Sequence, residues 1–176
     1  MRKRIVAFAV LLAVALIAPQ AAQAHPDGDD ELRVKLEPPV NFAPTADCPT
    51  GAAIYRISLH GQIGSGTNCI LDEVSADCPP DVTAQFCQAV PVRMTLSFNG
   101  GRIEGNVTIF EAWNCNASCA VDQRWSGTVT QATRRFRDLE GGSVSGGGLF
   151  VFDPVTFELL TFDEVLVITP ADELDD

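Results

Sequence analysis

Two histidines, a few well-placed carboxylates and six cysteines are the side chains of this 176-residue chain whose types and spacing could do chemistry. His25 follows Ala22-Gln23-Ala24, so cleavage after Ala24 would make it the new N-terminus and offer an amine and an imidazole to one metal ion. Imidazole suits copper, and His60 is the second histidine available as a partner. The run Pro-Asp-Gly-Asp-Asp after His25 would orient such a ligand poorly, so copper is a minor alternative to the expectation of no cofactor. His60 and Ser58 share a strand face, which resembles a base beside a nucleophile. No Gly-x-Ser-x-Gly elbow accompanies them, and a solvent-facing strand histidine is the expected reading.

The carboxylates are more numerous. Asp72-Glu73 and Asp163-Glu164 are adjacent pairs, and adjacent strand residues point to opposite faces. They are poor candidates for glycosidase chemistry, which needs two carboxyls about 5–10 Å apart across a cleft. Glu104 and Glu111 are a third pair, and Glu111 stands apart. The inward parity of Ile103, Val107 and Ile109 continues through Glu111 to Trp113, and a carboxylate on a core face would have its pKa raised by desolvation. A β-bulge near Phe110 that turns Glu111 outward is the expected resolution. Trp113 and Trp125 flank Cys115 and Cys119 at the base of one hairpin. They form either a ligand-stacking platform or, as is commoner, a pair packed on each other or on a disulfide. Arg134, Arg135 and Arg137 are a small basic cluster expected in a solvated loop. Asn106-Val-Thr and Asn116-Ala-Ser match the glycosylation sequon. No acidic cluster has the spacing of a calcium loop.

The compartment follows from the N-terminus and the cysteines. Residues 1–24 carry Arg2, Lys3 and Arg4, then an apolar run of 14 residues, then the small-residue exit, the order of a signal peptide. The run is short for a membrane span of roughly 20 residues. The net charge is −11 for the whole chain. Without the signal, nine basic and 23 acidic side chains remain, a net −14, and hydrophobic content falls from 46% to about 41%. That balance argues against a basic nucleic-acid face and against a membrane span after processing. An even set of cysteines in an exported chain points to disulfides. Cys48, Cys69, Cys78, Cys87, Cys115 and Cys119 allow fifteen connectivities. Spacing favours Cys115–Cys119 across a hairpin end and Cys78–Cys87 around a Pro-Pro-Asp loop, which leaves Cys48–Cys69. No Cys-x-x-Cys exists for a zinc or thioredoxin-type site.

The elements that must position these groups are strands. Residues 25–47 read as an acidic, proline-bearing arm that cannot repay its ordering entropy, and residues 171–176 as an acidic tail. Residues 48–170 form a single all-β domain. Tyr55, Ile57 and Leu59 alternate with Ile54, Arg56 and Ser58, and Val92, Met94, Leu96 and Phe98 alternate with Arg93, Thr95 and Ser97. Asn99-Gly100-Gly101 then predicts a tight hairpin. Trp125, Gly127 and Val129 mark another strand, and Gly146-Gly147-Gly148 predicts a bend or close approach inside the next. Val165-Leu166-Val167-Ile168 is apolar on both faces, a central or closing strand, with Asp163-Glu164 a possible break before it. Seven or eight short strands predict an antiparallel barrel, with a sandwich as the alternative.

Residues 128–148, TVTQATRRFRDLEGGSVSGGG, resemble the bacterial secreted relatives of the allene oxide cyclase and dirigent barrels. Thr133, Phe136, Gly141 and Gly142 fall near that family's Gly-Thr-Gly-x-Phe segment and following small residue and glycine. Arg134-Arg135 stands where glycine is usual, and Asp138-Leu139-Glu140 replaces small residues. The resemblance implies an eight-stranded antiparallel barrel whose interior accepts an apolar ligand, and it transfers no catalytic residue. The expectation is a secreted or periplasmic, non-catalytic barrel binding a small apolar ligand or an extracellular partner through Glu111, Trp113 and Trp125. A cyclase- or isomerase-like enzyme is the alternative. An enclosed pocket of a few hundred Å³ with convergent polar groups would favour it, and a filled core would sink it.

Overall fold

The computed structural model describes residues 31–39, 41–156 and 158–171. The signal-peptide reading, His25 and all but the first residue of the acidic tail lie outside them. Ten strands are described: β1 (Leu32–Leu36), β2 (Asn41–Thr45), β3 (Cys48–Leu59), β4 (Gln62–Ile70), β5 (Val74–Ala76), β6 (Phe86–Phe98), β7 (Gly101–Cys115), β8 (Cys119–Ala132), β9 (Ser143–Phe152) and β10 (Leu159–Thr169). Eight of them close an antiparallel barrel in the order β1-β10-β9-β8-β7-β6-β4-β3, sealed by pairing of β1 with β3. β2 adds to β3, and β5 to β6, outside this ring.

β1 corrects the reading of 25–47 as a free arm. Leu32, Val34 and Leu36 alternate with Arg33 and Lys35, a strand too short to stand out beside the acidic run. It pairs with β10 over its whole length and with β3 at Lys35 and Leu36, so its ordering cost is met by two ladders and two fully buried side chains. The β6–β7 hairpin forms at the predicted turn, with Gly101 at φ +146°. β10 runs unbroken through Asp163-Glu164, its register shift lying instead between Leu159 and Thr161. His60 sits at φ +47° in the β3–β4 turn rather than in a strand.

The two ends of the barrel differ. The end bearing the β3–β4 and β6–β7 turns is closed by a 3₁₀ turn, Arg134–Leu139, where the sequence predicts a loop. Its Phe136 and Leu139 are buried, Phe136 meets Phe98 at 5.5 Å between ring centroids, and the Arg135 guanidinium lies 4.6 Å over the Phe136 ring. Behind this plug the interior is solid, with Met94, Leu96, Ile103, Ile57 and Ile168 fully buried. All three disulfides lie at the opposite end: Cys48–Cys69 joins the start of β3 to the end of β4, Cys78–Cys87 ties the loop before β6, and Cys115–Cys119 clasps the β7–β8 turn. Those are the pairings that spacing favours. Six exposed apolar side chains, Leu71, Val74, Phe86, Val155, Leu159 and Leu160, gather at this same end.

Candidate functional site: a polar ring in a hollow half-barrel

The strand register stacks inward-facing residues in rows that run around the wall. The row at the floor of the open half is apolar: Val92, Val107, Val144 and Ile168. Above it come Val90, Ile109, Trp125, Leu166 and Val34. The next row is polar: Gln88 opposite Glu111, Glu111 opposite Gln123, Gln123 opposite Gly148, and Gly148 opposite Glu164. The outermost is aromatic, with Phe86, Trp113, Val121, Phe150 and Phe162 in register. Between the plugged half and this mouth lies a cavity of about 320 Å³, walled by residues of the three outer rows together with Tyr55, Asn68 and Ile70.

Small residues leave room for it. Any Cβ at Gly66 would fall 2.1 Å from the Tyr55 ring, so glycine is what lets the phenol lie across the interior. A Cβ at Gly148 would fall 2.8 Å from the Cβ of Glu164 and 2.1 Å from the Asp163 carbonyl oxygen. The glycine run predicted as a close approach therefore sits beside the carboxylate that enters the cavity.

Glu111 faces inward. No register shift occurs near Phe110; the shift in the β7–β8 ladder lies at Glu104/Gly105, where Thr130 is the extra residue in β8, so β7 itself keeps its inward parity through Glu111 to Trp113. The Glu111 carboxylate accepts three hydrogen bonds, from Gln88 Nε2 at 2.6 Å, Gln123 Nε2 at 2.6 Å and Trp113 Nε1 at 3.1 Å. Glu164, three strands away along the same row, accepts one from Trp125 Nε1. Burial pushes the Glu164 carboxyl up to about 7; the indole donor opposes this and the charge of Glu111 adds to it. Tyr55 donates to Asn68 Oδ1 at 2.8 Å, and burial, reinforced by Glu164, pushes its phenol well above the usual range. Gln123 is 5% exposed, and with its Nε2 committed to Glu111 its Oε1 has no hydrogen-bond partner among the described residues.

The sequence-predicted site residues Glu111, Trp113 and Trp125 thus converge on one cavity. The tryptophans pack neither on each other nor as one platform: Trp113 stacks on Phe86 at 5.4 Å and meets Phe152 edge-on at 5.7 Å, while Trp125 is buried beneath Glu164. His60 is exposed at the plugged end. Among the described residues no group of three or more His, Cys, Asp or Glu could hold a metal ion. Sequence reasoning missed Glu164, Gln123, Gln88, Tyr55 and Asn68. The parity of β10 could have found Glu164, since Leu166 and Ile168 share its face.

Three disulfides without a free cysteine fit an oxidising compartment. No helix among the described residues is long and apolar enough to cross a membrane. Comparison with known proteins returns no matching family model, no matching curated protein and no matching solved structure.

Proposed function

We propose that this protein is an exported barrel that binds a small, mostly apolar ligand inside its hollow half. The observation that carries the reading is the cavity itself. Its volume lies at the lower end of the range for small-molecule pockets, and it pairs apolar walls with a few fixed polar groups, the usual make-up of such sites. Gln123 Oε1, without a donor among the described residues, supports it further, because a buried acceptor without a donor costs about 1–3 kcal/mol that a ligand hydroxyl or amine would recover. Export after removal of residues 1–24 and kinship with the allene oxide cyclase and dirigent barrels belong to the same proposal. The contact site for an extracellular partner, on this reading, is the apolar rim of the mouth.

Native mass spectrometry of the disulfide-intact protein tests it by looking for a co-purified small molecule. Displacement of an apolar fluorescent probe supplies the quantitative arm. Ala53→Phe places a ring in the cavity from β3 and will weaken probe binding at least about tenfold while the fold persists. Unchanged binding would remove the cavity as the site.

A second reading, proton transfer to a small apolar substrate, is favoured by the same cavity with its convergent polar groups and by one further observation. Glu164 is buried, has a pKa near neutrality and shares its row with a second carboxylate, the arrangement that lets one group hold a proton near pH 7. Deuterium exchange into an enolisable cyclic ketone, lost in Glu164→Gln, would establish it. No exchange above buffer would leave ligand binding alone.

A further inference from the structure

We propose that the ligand of this cavity is a cation: an apolar molecule carrying an ammonium group, held by Glu111, Glu164 and the free oxygen of Gln123. The inference rests on the ligand-binding reading above and specifies its chemistry. Four carboxylates line the cavity, Glu37, Glu73, Glu111 and Glu164, and no Lys, Arg or His is among the described residues that wall it. Glu37 is partnered by Arg56 at 3.6 Å, and Glu73 is exposed. The two inner carboxylates are different. Among the described residues, every hydrogen bond they accept comes from a neutral donor, an amide or an indole, so no positive group compensates their charge there. A carboxylate withdrawn from water ordinarily pairs with a positive group or a metal ion, or else takes up a proton; among the described residues neither the buried Glu164 nor the half-buried Glu111 has a positive partner.

The third acceptor is independent of that charge. Gln123 is more than nine-tenths buried, lines the same cavity, and turns its amide nitrogen to Glu111, which leaves the carbonyl oxygen without a donor among the described residues. An alkylammonium presents three N–H donors and no acceptor. That complement matches two carboxylates and one amide oxygen, whereas a hydroxyl brings one donor and a carboxylate ligand brings none. The mouth suits the same guest. Trp113, Phe150 and Phe162 wall it, with Phe86 stacked on Trp113 outside, and aromatic faces attract cations while tolerating apolar bodies. A chain of net charge −11 also draws cations toward it from solution.

The test is isothermal titration of the disulfide-intact protein with three near-isosteric probes, 4-phenylbutylammonium, 4-phenylbutanol and 4-phenylbutanoate, at about pH 8.5, where the amine is still charged. The expected order is ammonium tighter than alcohol by at least about tenfold, with the carboxylate weakest. Glu164→Gln and Glu111→Gln, nearly isosteric changes, will each cut the ammonium-over-alcohol preference severalfold and leave alcohol affinity within about twofold. Because the three probes are compared on the wild-type protein, the order does not depend on either variant folding. If the alcohol binds as tightly as the ammonium, the cation assignment is overturned while the barrel site stands. If no probe binds and none displaces an apolar dye, the site itself is wrong, and the assignment falls with it.

Discussion

At Glu164, burial and hydrogen bonding act on the proton in opposite directions. The side chain is 2% exposed, and loss of water favours the neutral acid; the Trp125 indole favours the anion and only partly offsets this. The folded pKa, about 7, therefore stands above the ordinary value of 4.5. With the folded state holding the proton more tightly than the unfolded chain, the stabilising contribution is complete below about pH 4.5 and is lost as pH rises through about 7. Fully developed, the loss amounts to about 3 kcal/mol. Glu164→Gln keeps the shape and the acceptor for Trp125 but cannot ionise. The variant will gain on the wild type by up to that amount between acid and mildly alkaline pH, read as diverging urea midpoints with the disulfides intact. Parallel midpoints across that window would show that Glu164 is solvated. Of the inward polar row, Glu111 was singled out because the parity of Ile103, Val107 and Ile109 leads to it, but its inward facing was not foreseen, since the apolar Phe110 beside it suggested a bulge. Glu164 was not singled out, because Asp163 beside it read as a charged break.

At the scale of elements, covalent bonds and hollow space occupy the same end of the barrel. The plugged half is held by packed side chains. The open half surrounds a cavity, so its strand ends forgo the dispersion contacts that a filled core supplies. Three disulfides restrain those ends instead, and in the chain-entropy model the Cys48–Cys69 bond, which closes the longest of the three loops, contributes about 3 kcal/mol. Replacing Cys48 and Cys69 together by alanine will lower stability by about that much. Amide exchange will quicken first at the mouth ends of β3 and β4, while the β6–β7 turn and the 3₁₀ plug stay protected. Uniform loss of protection along β3 and β4 would contradict a restraint local to the mouth. The pairings could be anticipated from spacing because two of the three loops are short, with sequence separations of 4 and 9. That they share one end could not, since it depends on strand direction around the closed ring.

For the whole molecule, the division into a solid and a hollow half predicts an asymmetry in mutational cost. Ile168, fully buried in the solid half, will cost about 2–5 kcal/mol when cut to alanine. Phe162, on the aromatic rim and only half-buried, will cost clearly less in stability than a buried aromatic, which loses about 3–5 kcal/mol on the same change. Its loss will instead weaken ligand binding, since the ring walls the cavity. Thermal unfolding and probe titration of the two variants separate these outcomes. Equal stability losses would mean that the mouth is packed like the core.

The sequence by itself determined what is local or pairwise in this protein. Strand periodicity spans two residues, so the inward faces of β3, β6 and β7 could be read directly, as could the glycine turn between β6 and β7 and the short cysteine loops. Tertiary structure decided what meets what. Closure through β1, a strand of five residues, needs partners on both sides before it is worth ordering, and no local pattern reports those partners. The register of five separate ladders sets Gln88, Glu111, Gln123, Gly148, Glu164 and Leu36 in one row. Whether that row faces packed side chains or a cavity depends on summed volumes from every stave, including the absent side chains at Gly66 and Gly148. Volume is a property of the closed ring, and only the closed ring turns inward-facing polar residues into a site.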